Sequence, residues 1–300
     1  MPDLAIPFDS QLRTRGYELD NTHTVPLPVI LSYLEHVRWE VMQQPSIGIL
    51  DLLHAGYFFV VHTQTVELLQ QVGVCVDLKI QCAFETVGRS TVAVRHQVIR
   101  KDDSTLVAHA RVAGPLLNPK RQLARLPDEL LQAAQAQQNA ILEFDTNFAN
   151  LHAGVSTGET QPPKPFFEPS PRYYRGMGLD VCPPKSAPED TSQYSFTVRP
   201  SDHDILSHVN ATHYVRFFNN ALLLGAQNNA YGDDSKIAKR PLTRVAIKYH
   251  QESVAQDQLA VHSWRISDTP SGFGCLLYRN GQTQPLCRAR LDTEDPQMVL

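Results

Sequence analysis

The stretch RGYELDNTHTVPLPVILSYLEHVRWEV at residues 15–41 returns in altered form as VRPSDHDILSHVNATHYVRFFNNALLLG at residues 198–225. Superposing Asp20 on Asp204 brings Glu18 onto Asp202, Val25 onto Val209, Ile30 onto Tyr214 and Tyr33 onto Phe217. Each copy reads as a short strand, a loop containing an aspartate, and then an apolar segment of helical length. In the second copy Tyr214, Phe217, Phe218, Ala221 and Leu222 fall at i, i+3, i+4, i+7 and i+8, one face of a helix. Val215, Leu223 and Leu224 add apolar surface elsewhere, which predicts a helix enclosed on most sides. The first copy repeats the pattern with Ile30, Tyr33, Leu34, Val37 and Val41.

Strand-like segments follow each helix. Val60–Glu67, Asp77–Thr86, Ser90–Arg100 and Thr105–Ala113 are rich in Val, Ile and Thr, with turns at Gly88 and at residues 101–104. Arg244–Tyr249, Gln258–Ile266, Gly274–Arg279 and Pro285–Leu291 do the same in the second half, where Asn280-Gly281 predicts a type I′ hairpin. Between the halves, Pro127 with Asp128 and Glu129 opens a helix to about Leu142. Eight of the 21 prolines then fall between Pro162 and Pro188, a density that neither helix nor central strand tolerates. The expected organisation is a first domain at 1–145, a Pro-rich linker at 146–192 and a second domain at 193–300. Each domain is an α+β unit of one buried helix and an antiparallel meander.

Composition narrows the function. Hydrophobic residues make up 42% of the 300, enough for substantial cores. Twenty-seven basic against 31 acidic residues, with no basic block, argue against nucleic acid as a partner. The apolar run Gly56–Val61 is too short to span a membrane, and the N-terminus lacks the basic region of a secretory signal. Five cysteines without C-x-x-C spacing read as reduced thiols, so a cytoplasmic location is expected. With no H-E-x-x-H, P-loop or G-x-G-x-x-G motif, neither a metal nor a cofactor is expected.

The loop and helix of the second copy, Asp202-x-Asp204-x-x-Ser207-His208-Val209-Asn210-x-x-x-Tyr214, resemble the signature of hotdog-fold acyl thioesterases. RGYELD, SYLEHVRWE and the meander VGRSTVAVRHQVIRKDDSTLVAHARV resemble the same family in the first half. A tandem pair joined by a linker is similar to the acyl-acyl-carrier-protein thioesterases and to double-hotdog acyl-CoA thioesterases of the 4-hydroxybenzoyl-CoA type. The resemblance implies two hotdog domains, each an antiparallel sheet wrapped around a central helix, packed as an intrachain pseudo-dimer that could itself form a homodimer. It implies an acyl-CoA or acyl-carrier-protein substrate, with Asp204 as general base or nucleophile. It also gives His208, Asn210 and Glu252 roles in catalysis, and Val209, Tyr214, Phe217 and Phe218 roles in binding the acyl group. Two positions depart from the plant-type pattern, with Leu206 replacing the loop Asn and Ser253 replacing the Cys that follows Glu252. In the first copy Thr24 and Pro26 stand where His208 and Asn210 do, so the second copy is the candidate site.

The residue types suit thioester hydrolysis, which needs a base or nucleophile and dipoles for the oxyanion. Asp204 would supply the first, and amides near His208, Val209 and Asn210 at the positive helix end the second. The plainer alternative makes Asp202, Asp204 and Ser207 helix caps, Glu252 a solvated strand-end residue, and the aromatics core. Gly154-Val-Ser156-Thr-Gly158 matches G-x-S-x-G but lacks the preceding strand and following helix that a nucleophile elbow needs. Lys236, Lys239, Arg240 and Arg244 could face coenzyme A phosphates or an acidic carrier, although a solvated loop is the commoner case. His23 and His250 are read as surface residues. Two other functions compete. An enoyl-CoA hydratase of the same fold would show D-x-N-P-x-H, whereas Asp204 to His208 is four steps with no proline. A non-catalytic acyl-thioester-binding protein is the other.

Overall fold

A computed structural model describes residues 8–44, 49–132, 134–136, 187–188, 191–266 and 271–294. Most of the expected linker, Cys182 and the Gly154–Gly158 motif lie outside these residues. The first repeat holds β1 (Phe8–Arg13), α1 (Leu27–Met42), α2 (Ile49–His54), β2 (Phe58–Phe59), β3 (Thr63–Leu68), β4 (Asp77–Val87), β5 (Thr91–Arg100) and β6 (Leu106–Leu117). The second holds β7 (Ser192–Thr197), α3 (Ala211–Gln227), β8 (Leu242–Tyr249), β9 (Gln258–Arg265), β10 (Gly272–Arg279) and β11 (Cys287–Thr293). Strand β7 thus begins at the last residue assigned to the linker. Residues 128–132 and 134–136 are helical, matching the start of the expected helix. Among the described residues no helix is long and apolar enough to cross a membrane.

One antiparallel sheet joins both repeats, in the order β1-β4-β5-β6-β3-β8-β11-β10-β9-β7, with β2 on β6. The order reads as the same five-strand unit from either end, so the chain is two hotdog domains about a pseudo-two-fold. The axis passes through the β3–β8 seam, where Val66 faces Val245 and Glu67 faces Arg244. Arg244 Nη2 donates to Glu67 Oε1 at 2.6 Å, and His109 Nε2 lies 2.8 Å from Glu67 Oε2. The His109 hydrogen bond, reinforced by Arg244, holds the Glu67 carboxyl down to about 2. Arg244 therefore belongs to the seam and is not part of a basic face with Lys236, Lys239 and Arg240.

The predicted helix faces are the buried ones. Ile30, Tyr33, Leu34, Val37 and Val41 of α1, and Tyr214, Phe217, Phe218, Ala221 and Leu222 of α3, all lie in the core. A side chain such as Phe218 or Leu34, wholly withdrawn from water, contributes about 1.5–3 kcal/mol. Leu224 is 38% exposed, so α3 is less enclosed than its composition suggests. The Asn280-Gly281 turn also differs from expectation. Only Gly281 has positive φ (78°), whereas type I′ needs both central residues there, and seven residues rather than two connect β10 to β11. At Gly114 an added Cβ would lie 1.6 Å from Val60 O, so only glycine lets residues 60–62 close onto β6.

The two central helices touch, and Asn210 joins them. Its Oδ1 accepts from Thr212 N at 2.8 Å, capping α3, while its Nδ2 donates to Glu35 Oε1 of α1 at 2.8 Å. The cap is therefore Asn210, and not Asp202, Asp204 or Ser207.

Two outcomes follow from this architecture. Residues 1–150 expressed alone leave the β3 edge unpaired and should self-associate or precipitate, and a folded monomer by size-exclusion chromatography and circular dichroism would contradict the seam's role. Asn210→Asp keeps the cap but sets a carboxylate against Glu35, so urea unfolding at pH 7 should show a loss of about 1–3 kcal/mol. Repulsion raises a folded-state carboxyl pKa, so the loss should shrink as pH falls and that group protonates.

Candidate functional site

The site grows from the loop between β7 and α3. Asp202 is 2% exposed and serves as the loop's internal anchor. Its Oδ2 accepts from Arg199 N at 2.9 Å, its Oδ1 lies 3.4 Å from His213 Nδ1, and its backbone carbonyl accepts from Asn210 N at 2.9 Å. Asp204 closes the next turn. Its N–H donates to His208 O at 2.8 Å, and its Oδ1 accepts from Leu206 N at 2.8 Å and His208 N at 3.4 Å. Ser207 takes φ of 61° to complete that turn, a left-handed conformation uncommon for a residue other than glycine. The carboxylate is thereby fixed in direction, half-exposed at the end of α3.

His208 projects from this turn toward two residues distant in sequence. Its Nε2 is 3.2 Å from Glu252 Oε2, in the loop after β8, and 2.9 Å from Arg121 Nη2, in the turn after β6 of the first repeat. Arg121 Nη1 also pairs with Glu252 Oε1, which closes a triangle of His208, Glu252 and Arg121. Arg121 reaches it because it sits at φ of 61° in a turn held by Asn118, whose Oδ1 accepts from Lys120 N at 2.9 Å and Gln122 N at 3.0 Å. Burial, then the Arg121 charge, lower the His208 pKa from its ordinary value, with Asp204 opposing. Burial and Arg121 thus favour the neutral imidazole.

Asp204, His208, Asn210 and Glu252 thus gather at one end of α3, with Arg121 and Glu35 supplied by the other repeat. The sequence offered no sign of Arg121 or Glu35, because 87 and 175 residues separate them from His208 and Asn210. Ser253, at the place of the expected Cys, is buried and its Oγ lies 2.7 Å from Tyr214 Oη. The amides proposed for the oxyanion are already engaged: His208 N with Asp204 Oδ1, Val209 N with Ser253 O, and Asn210 N with Asp202 O. Val209, Tyr214, Phe217 and Phe218 are all buried and closely packed. Tyr214 meets Tyr249 edge-on at 5.3 Å between centroids, and Phe217 meets Phe196 at 4.5 Å.

The first repeat builds the same loop without the same chemistry. Asp20 N donates to Thr24 O at 3.0 Å, and Arg15 N donates to Glu18 Oε2 at 2.8 Å, mirroring Asp204 and Asp202. His23 takes the φ of 61° that Ser207 takes. Thr24, at the place of His208, lies 2.7 Å from Thr22 through the two hydroxyls, so its polar atom turns inward on its own loop. His23 and His250 are exposed, as expected of surface histidines.

Comparison with known proteins agrees with this architecture. Residues 27–107 match the Thioesterase superfamily, while no sequence among curated proteins matches the chain. An acyl-ACP thioesterase from Bacteroides thetaiotaomicron superposes with a TM-score of 0.66 at 17% identity, covering 96% of this chain and 97% of that one. The 12:0-ACP thioesterase from Umbellularia californica superposes with a TM-score of 0.70 at 13% identity, covering 98% and 99%. At such identities the likeness is one of fold. The chain is a double-hotdog protein whose first repeat carries the sequence pattern of the thioesterase superfamily.

Proposed function

We propose that the protein hydrolyses acyl thioesters of coenzyme A or of an acyl carrier protein at the Asp204–His208–Glu252 cluster. The observation that carries this reading is the meeting of a fixed carboxylate, a neutral imidazole and a second carboxylate beside Arg121 of the other repeat. Among the described residues hydrogen bonds reach only Oδ1 of Asp204, which leaves Oδ2 to take a proton from water or to attack the thioester carbon itself. In the first route the water oxygen bonds to the carbonyl carbon, its proton passes to the base, the C–S bond then breaks, and the departing thiolate takes that proton from the base to leave as the thiol. His208 and Glu252 hold the water. Because the loop amides are engaged, the Arg121 guanidinium is the group that answers the negative charge developing on the carbonyl oxygen.

Free-thiol release across short, medium, long and aromatic acyl-CoAs and acyl-carrier-protein thioesters tests the reading. No turnover on any of them would sink it, and hydration of crotonyl-CoA, followed by loss of the enoyl absorbance, would replace it with a hydratase. Asp204→Asn should lower the rate by at least about 100-fold while costing no more than about 1 kcal/mol of stability. Asp20→Asn should cost far less activity. The reverse pattern would move the site to the first repeat.

The pH profile offers an independent check. Activity that needs neutral His208 is present above its lowered pKa and is lost as pH falls through it. Arg121→Gln removes a cation that depresses that pKa and leaves Glu252 beside a histidine able to hold its proton. The acid limb of kcat/KM should therefore shift to higher pH in this variant. An unmoved or downward-shifted limb would exclude His208 from the titration.

A further inference from the structure

The first repeat buries polar groups that no described residue satisfies. His96 on β5 is 1% exposed, and neither ring nitrogen meets a hydrogen-bond partner among the described residues. In register it faces Cys82 of β4 and Ala110 of β6, both buried, on the same side of the sheet as Val98. Arg38 lies on α1, with Nη1 buried and likewise without a partner. Gln64 on β3 is also 1% exposed. Its Oε1 accepts from the Tyr249 hydroxyl at 3.3 Å, but its Nε2 meets no partner among the described residues.

These groups form one neighbourhood. Helix α1, which carries Arg38, packs on β4, where Cys82 pairs with His96, and on β8, whose Tyr249 hydroxyl bonds Gln64. Glu35 offsets part of the guanidinium charge, but its Oε1 is already taken by Asn210 at 2.8 Å. Tyr249 reaches back to the start of α3, its hydroxyl 3.0 Å from Ala211 O. The neighbourhood therefore adjoins the catalytic loop through Asn210 and runs beneath α1.

Buried polar groups are nearly always hydrogen-bonded, and a buried guanidinium nitrogen left without an acceptor is costly. A saturated alkyl chain would leave every one of these donors unanswered. Arg38 and Gln64 Nε2 can only donate, and a neutral His96 donates from one nitrogen. Together they ask for an oxygen acceptor, and the fixed positive charge favours a carboxylate.

We propose that Arg38, His96 and Gln64 form a subsite that recognises an oxygen-bearing acyl group, a carboxylate above all, so that the preferred substrate is the thioester of a dicarboxylic or oxo acid. The substrate class rests on the thioesterase reading above, whereas the subsite itself does not. The experiment compares thiol release by the full-length protein from CoA thioesters of matched length: butyryl against succinyl, hexanoyl against 5-oxohexanoyl and adipoyl, octanoyl against suberyl. The best carboxylate-ended substrate should exceed its methyl-ended partner in kcat/KM by at least about tenfold, as expected where donors are left unpaired by the wrong substrate. In Arg38→Met and in His96→Leu, each checked for folding by circular dichroism, that ratio should collapse toward one. If one variant fails to fold, the other decides.

A methyl-ended preference in the native protein, or variants that leave the ratio intact, would overturn the subsite. Should no thioester be cleaved, the thioesterase reading falls, and the subsite is judged by equilibrium binding of S-hexyl-CoA and S-(5-carboxypentyl)-CoA. Tighter binding of the carboxylate form by about tenfold, lost in the variants, supports it. Equal binding overturns it.

Discussion

The antiparallel pairing of β3 with β8 is the constraint on which the site depends. Neither repeat can satisfy the open edge of its inner strand alone, and each supplies the other's missing ladder, with Val66 against Val245 at the centre. That pairing fixes α1 beside α3 and so sets Glu35 within 2.8 Å of Asn210. It also brings the turn after β6 to the end of α3, where Arg121 meets His208 and Glu252. The polar Glu67–Arg244 pair in the same seam adds register specificity, because a one-residue slip would place both side chains on the opposite face.

Within this symmetric frame the two repeats have diverged in opposite ways. Their Asp loops superpose down to the positive φ at His23 and Ser207, which points to a backbone geometry both copies need in order to enter a helix. The second repeat puts an imidazole at the turn and fills its helix face with Tyr214, Phe217 and Phe218. The first puts a threonine there and closes its loop on itself, but keeps Glu35 and Arg38 on its helix and His96 beneath it. The chemistry of the loop and the polarity of the core have thus separated into different repeats, and the contact between Asn210 and Glu35 links them.

The sequence by itself determined the repeat, the helix faces and most of the meander. These are local periodicities, and burying one face of each element forces them to appear in the residue order. It also singled out Asp204, His208 and Asn210 through the spacing of a loop ahead of a buried helix, and Glu252 only through the family resemblance. Only the tertiary structure decided that Asn210 is the cap, that the His208, Val209 and Asn210 amides are spent inside the loop, and that Arg244 belongs to the seam. Hydrogen bonds and ion pairs are made between whatever groups the fold brings within about 3 Å, without regard to separation along the chain. Arg121 and Glu35 were therefore illegible in the sequence, since a side chain contributed across a domain seam carries no periodicity of its own.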